Sequence, residues 1–324
     1  MKKALVIYHK DDNDGVISGV LLHLYYAEVL KIETIDHIGV DYNDLKSFDS
    51  NKIKELYDHY DYLGMTDISM PIEMMRLCYD LWSDNYIWID HHAPVIKAAN
   101  EAGLADIKGI RDSSHSALYH AWIFLQNALE RHIMRIPDFI NDLSQCDSFT
   151  FTAENKIQCH ALNKGVIALL ELDFNRTLGY ISYYIEHPKS FYTFYNECFN
   201  TGKILLDDEK SRMNSIIERN GDFNWVINNA GEHRKACAIF VQGATNSTMF
   251  EKADNGEIKC GIVFKHNADS SWSVSLYNVN QKYDDEFHVG NFCREQYNGG
   301  GHTGAGGFVI SENQFIQILK LRTL

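Results

Sequence analysis

Proline, paired cysteines and long apolar runs are all scarce in this chain. Only four prolines occur in 324 residues, none after Pro188, so no stiff proline-rich spacer separates its parts. The seven cysteines, at 78, 146, 159, 198, 237, 260 and 293, form no CxxC pair. Their odd count and scatter argue against a disulfide framework or a zinc ribbon, so reduced thiols and a cytoplasmic location are expected. The start, MKKALVIYHK, has an apolar run of five residues, too short for the core of a signal peptide. No window approaches the length of a membrane span, and no membrane association is expected. Basic residues are also few: 30 Lys and Arg stand against 44 acids, a net charge of −14. That balance argues against sequence-independent binding of long duplex DNA, which needs a basic face. It leaves room for a small anionic substrate, because carboxylates gathered to hold divalent ions add to the formal negative count.

What is present reads as a two-part α/β protein; 324 residues are long for one domain. ALVIY (4–8), IETIDHIGVDY (32–42), YDYLGM (60–65) and NYIWI (85–89) read as strands. A helix is predicted from Gly15 to Lys31, where Val16, Val20 and Leu24 fall at helical spacing. Strands alternating with helices imply a parallel sheet covered on both faces. Further helices are predicted over 114–132, 137–145 and 173–187, and a thin-striped helix over 205–221 reads as a connector or a surface helix. After it the texture changes, with strands predicted at 236–243, 258–267, 272–278 and 306–310. The predicted organisation is a first domain at 1–190, a helical connector at 191–229 and a smaller α/β domain at 230–324.

The first cluster of chemical groups is YHKDDNDGVISG (8–19). A solvated turn with an acidic helix start explains it; so does a cation site, since carboxylates beside an imidazole form a divalent-metal donor set. What favours metal is position. His9 to Asp14, Asp67, and Asp90 to His92 each follow an apolar strand directly, and in a parallel sheet those strand ends share one edge, where ligands bind. Asp147, in QCDSFTF, reads either as a further donor or as a plain helix-end carboxylate. The stretch NGGGHTGAGG (298–307) reads either as a flexible hairpin or as a nest of amides open to a phosphate. Ser114 and Ser116 read as helix caps, and His115 and His120 as structural or exposed.

Taken together, His9-x-x-Asp12-x-Asp14-Gly15, Asp67, Asp90-His91-His92, Asp147 and Gly299-Gly300-Gly301-His302 resemble the DHH phosphoesterase superfamily, in the branch with a C-terminal DHHA1 domain. That branch includes nanoRNases, 3′-phosphoadenosine-phosphate phosphatases and exopolyphosphatase-related proteins. The resemblance spans nearly the whole chain. It implies an N-terminal parallel-sheet DHH domain, a second, smaller DHHA1 domain, and a hydrolase dependent on two Mn2+ ions, with Mg2+ or Co2+ as alternatives. His9, Asp12 and Asp67 would hold one ion; Asp14, Asp67, His91 and Asp147 would hold the other. Asp11 is the alternative to Asp12, which is preferred because Asp12-x-Asp14-Gly15 keeps its carboxylates on one side of the turn. Two such ions stabilise the attacking and leaving oxygens of an in-line displacement. Asp90 would orient a histidine, and His92 would contact the phosphate or protonate the leaving oxygen. Gly299, Gly300, Gly301 and His302 would bind substrate. The implied substrate is a short oligonucleotide or small nucleotide; polyphosphate or pyrophosphate hydrolysis and a non-catalytic nucleotide-binding module are the alternatives, and a homodimer is compatible. One departure stands out. The strand before the glycine-rich loop, WSVSLYN, carries Tyr277 and Asn278 where related proteins often have an arginine.

Overall fold

The computed structural model describes residues 2–129, 136–229, 231–242, 250, 257–279 and 287–324. The ALVIY run lies in strand β1 (Lys3–His9), at the middle of a four-stranded sheet with β2 (Thr34–Val40), β3 (Tyr62–Thr66) and β4 (Tyr86–Ile89). The order is β2-β1-β3-β4 and every pair is parallel. Successive side chains of a strand point to opposite faces, and here both faces are buried. Ala4, Val6 and Tyr8 pack on one side with Val16, Val20 and Phe174; Leu5 and Ile7 pack on the other with Ile53, Met65 and Met75. This two-sided burial is why the strand reads as an unbroken apolar run.

Helices α1 (Asn13–Leu24), α5 (Ala117–Ala128) and α8 (Phe174–Glu186) supply residues to the first core. Helices α2 (Ser50–His59) and α3 (Ile72–Trp82) supply the second, with α4 (Ala93–Glu101) following β4. Helices α6 (Asp138–Asp147), α7 (Lys156–Leu170) and α9 (Ser190–Asn220) complete the described helices of this part. The chain divides into two compact units, Met1–Leu205 and Leu206–Leu324, with the boundary inside α9.

The second unit holds β5 (Asp222–Asn229), β6 (Glu232–Phe240), β7 (Cys260–His266), β8 (Ser271–Asn278), α10 (Val289–Tyr297), β9 (Gly300–Gly301), β10 (Ala305–Ser311) and α11 (Glu312–Leu321). Its sheet runs β5-β6-β7-β8-β10-β9, antiparallel except for the β6–β7 pair. Trp225, Ile227, Phe264, Leu276, Phe292 and Phe308 are among its core.

Three expectations change. The first helix begins at Asn13, and its regular part ends at Leu24; Tyr25–Val29 continue as a π-helical turn. In that wider turn Leu30 N donates to Tyr25 O, and two consecutive aromatics, Tyr25 and Tyr26, are both buried. The second change is in the expected connector, whose residues 222–229 are a strand. Trp225 and Ile227 alternate into the core there, a pattern hidden by the surrounding asparagines. Third, α5 is shorter than the predicted 114–132; residues 130–132 of that range, like residue 243 of a predicted strand, lie outside the described residues.

The β1–α1 junction leaves no room at Gly15, where an added Cβ would lie 2.0 Å from the His9 carbonyl oxygen. Gly15→Ala should therefore force a backbone shift and cost about 1–3 kcal/mol, seen as a lower urea midpoint. Gly179→Ala, in α8 with nothing within 4 Å, should instead gain about 0.5–1 kcal/mol from helix propensity.

Candidate metal centre

Parallel strands present their carboxyl ends along one edge, and the chain places donors there strand by strand. His9 ends β1, Asp67 follows Thr66 at the end of β3, and Asp90 follows β4. Asp67 has φ 55°, a left-handed conformation that aspartate tolerates better than most residues. Its amide donates to Ile89 O at 3.0 Å, tying it to the neighbouring strand end.

Two donor sets form around this edge. His9 Nδ1 lies 3.1 Å from Asp12 Oδ2 and 3.6 Å from Asp67 Oδ2, so His9, Asp12 and Asp67 make one group. Asp11 is exposed and comes no nearer to His9 than 3.9 Å. Asp12 Oδ1 also caps α1 by accepting from Gly15 N at 2.9 Å, which turns Oδ2 toward His9. In the second set, His91 Nε2 lies 3.6 Å from Asp14 Oδ2, 3.3 Å from Asp67 Oδ1 and 3.4 Å from Asp147 Oδ2. Asp67 faces both sets with different oxygens.

The supporting contacts differ from residue to residue. Asp14 accepts from the amides of Ala117 and Leu118 at 2.8 and 2.7 Å, so it caps α5 from outside while Ser116, at the cap position, forms no side-chain cap. Asp90, fully buried, accepts from Ser69 Oγ and Trp88 Nε1 on one oxygen and from the amides of His91 and His92 on the other. His92 Nδ1 lies 2.7 Å from that second oxygen. This bond assigns the proton to Nδ1 and leaves Nε2 for other chemistry. His92 also lies within reach of Asp67 and His91 as a donor group, but its Nδ1 is engaged by Asp90. His120 bonds Asp112 O and His115 stacks on Tyr119, so neither joins the cluster.

Asp67 Oδ1 and Asp147 Oδ2 are buried and have no hydrogen-bond donor, and both face His91 Nε2. A buried carboxylate oxygen without a donor is costly. A divalent cation would satisfy both oxygens at once, and the imidazole–carboxylate set fits such an ion.

In the second unit, Gly299 N donates to Cys293 O and His302 N to Ala305 O, so these two amides are engaged within the hairpin. A Cβ at Gly299 or Gly301 would strike the backbone of Gly307 or Ala305 at 2.2 or 2.4 Å, whereas Gly300 has open space around it. Hairpin packing explains the first two glycines, and only Gly300 is left with no packing reason. Tyr277 is half-buried against Phe250, and Tyr297 stacks on Phe308 at 4.1 Å.

No protein-family model matches the sequence, and no curated protein matches it. Solved structures do. The pGpG-specific phosphodiesterase PggH from Vibrio cholerae aligns at 12% identity and TM-score 0.54, covering 99% of this chain and 97% of that one. An exopolyphosphatase-related protein from Bacteroides fragilis aligns at 13% identity and TM-score 0.50, over 99% and 91% of the chains. RecJ from Thermus thermophilus, in complex with Mn2+, gives 13% identity and TM-score 0.50, over 99% of this chain and 51% of its own. This chain has the DHH-superfamily fold.

Within the DHH fold the sequence reading missed three residues. Ser69 and Trp88 hold Asp90, as above. Tyr42 follows β2 with its ring 5.9 Å from His9; burial, then Asp90, Asp67 and Asp12, push its hydroxyl pKa up. The signal was available, because Asp41-Tyr42 follows a strand end like the other clusters.

Burial dominates the protonation behaviour. It raises the pKa values of Asp67 and Asp147 well above the carboxylate range, and repulsion from Asp14 adds to it. Burial alone would lower His9, but hydrogen bonds to Asp12 and Asp67 raise it to about 10. A raised acid stabilises the fold below its unfolded pKa and loses that contribution as pH rises through the folded value. In chelator-treated protein, Asp67→Asn should therefore raise the thermal midpoint near about pH 7.5, with the gain shrinking toward about pH 4. The same variant should lose most of the stabilisation that a bound divalent cation would give, about 2.7 kcal/mol at a hundredfold excess over Kd. Differential scanning calorimetry with and without Mn2+ checks both; a full Mn2+ shift in Asp67→Asn would sink the shared-carboxylate arrangement.

Proposed function

We propose that this protein is a two-metal phosphohydrolase that cleaves phosphoester bonds in short oligonucleotides or small nucleotides. The observation that carries this reading is the position of Asp67, which gives one oxygen to each of two donor sets. Mn2+ suits these mixed imidazole and carboxylate groups, and the Thermus thermophilus RecJ structure contains Mn2+. His9, Asp12 and Asp67 would hold one ion and Asp14, Asp67, His91 and Asp147 the other. Bound there, the ions would supply positive charge for the attacking and leaving oxygens of an in-line displacement.

The remaining steps belong to the protein's own groups. Asp90 fixes the ring of His92 through Nδ1 and balances the charge of its imidazolium form. That form, protonated on both nitrogens, gives its Nε2 proton to the leaving oxygen and returns to the neutral Nδ1–H ring. Asp14 is held by the N-terminal amides of α5, so its carboxylate cannot swing away. In the second unit we assign substrate binding to Gly299, Gly300, Gly301 and His302, with the open space at Gly300 the place where a phosphate would approach.

A nucleotide substrate is favoured over polyphosphate because, among the described residues, the surroundings of the cluster offer little free positive charge. Lys10, beside the cluster, is engaged by Asp44 and lies 3.8 Å from Asp41, and WSVSLYN contributes no cation. The Vibrio cholerae structure is of a phosphodiesterase specific for pGpG, which supports a dinucleotide as the first substrate to try. The exopolyphosphatase-related likeness keeps inorganic polyphosphate as the second reading. Among the described residues no helix is long and apolar enough to cross a membrane. All seven cysteines are free and buried, in keeping with our assignment to the cytoplasm.

Purified protein with Mn2+ should hydrolyse dinucleotides faster than polyphosphate and lose activity on chelation. His92→Ala should lower kcat by about 10²–10⁴ with Mn2+ content unchanged, while Asp14→Ala and His91→Ala should lose turnover with the metal. Rapid hydrolysis of polyphosphate alone would replace this reading with its rival.

Chain length is a second test. With so few cations near the cluster, a dinucleotide should be cut faster than a strand about ten times longer, with weak salt dependence. Initial rates at two salt concentrations decide it, and equal or faster cleavage of the long strand overturns the preference.

A further inference from the structure

The first unit holds a cavity outside the metal centre. It has a volume of about 560 Å3 and lies among the starts of α6 and α9 and the side of α7, within the range of small-molecule sites. Its walls include four aromatic rings, Phe139, Phe191, Tyr192 and Tyr195, with two carboxylates, Asp138 and Asp142. Asp142 is only 5% exposed. Its Oδ2 accepts from Gln158 Nε2 and from Tyr195 OH, each at 2.8 Å. Both donors are neutral, and among the described residues no cationic side chain pairs with Asp142. A carboxylate this buried calls for a positive partner, and aromatic faces attract cations as well.

We propose that this cavity binds a small alkylammonium cation, with Asp142 as its counter-ion and the aromatic rings around its head. Oδ2 is already doubly engaged, so the two-pronged contact a guanidinium prefers is not offered; a compact ammonium head fits the remaining oxygen better. Phosphorylated ligands are excluded by the two carboxylates, so this is not a second nucleotide site. Helix α6 links the cavity to the metal centre, since Asp142 and Asp147 lie on it about 7.5 Å apart along its axis. The metal centre uses none of the residues named for the cavity.

Isothermal titration of the full chain with choline, and with its uncharged isostere 3,3-dimethylbutan-1-ol, tests the proposal. Choline should bind at least about tenfold more tightly than the isostere, as cation–aromatic attraction plus one counter-ion allows. Asp142→Asn should weaken choline binding about tenfold or more. Tyr192→Ala, at a residue 76% exposed whose truncation is expected to leave the fold intact, should weaken it severalfold and keeps the test valid if Asp142→Asn fails to fold. Asp67→Asn should leave choline affinity unchanged. No choline binding up to about 10 mM, equal binding of the isostere, or loss of binding in Asp67→Asn would overturn the assignment.

Discussion

Asp14, Asp67 and Asp147 crowd around His91, and among the described residues no lysine or arginine pairs with any of them, only the imidazoles of His9, His91 and His92. The first unit is arranged around holding them there. Each is restrained by a different neutral device. Asp14 is gripped by two backbone amides at the start of α5, where the helix dipole favours negative charge. Asp67 is aimed by a left-handed turn at the end of β3, and Asp147 ends α6. In the neighbouring set, Asp12 caps α1. The restraints leave two oxygens without donors, and those two face one imidazole nitrogen. Pre-positioned donors and exposed demand for a cation are therefore the same feature seen from the two sides of the site.

Much of this was legible in the chain because buried parallel strands announce themselves. ALVIY and YIWI are apolar on both faces, so their ends could be found, and polar residues after them had to lie on one edge. Asp67 needed only a short apolar run before it. Asp147 was harder, since nothing local distinguishes a carboxylate that ends a helix beside solvent from one that ends it beside His91. The partners of Asp14 could not be read at all: they are backbone amides, which no side-chain pattern encodes. Trp88 looked like one more core residue of β4, and its indole N–H bond to Asp90 depends on a side-chain direction. In the second unit the alternation of β5 was diluted by asparagines. The glycines at 299 and 301 look like a ligand loop in sequence, and that pattern carries no sign that close hairpin packing requires them as well.

The bonds from Ala117 and Leu118 to Asp14 span 103 and 104 residues of sequence. A chain must close a loop of that length before the carboxylate gains its grip, and contacts this distant form late because their closure entropy comes first. On that order the donor set would be completed late in folding rather than nucleate it. Ions bound there would act on a structure already assembled. Their effect would fall on the rate at which the native state comes apart rather than on the rate at which it forms. A cation at this edge would work as a latch on the finished molecule, lengthening its lifetime without guiding its assembly.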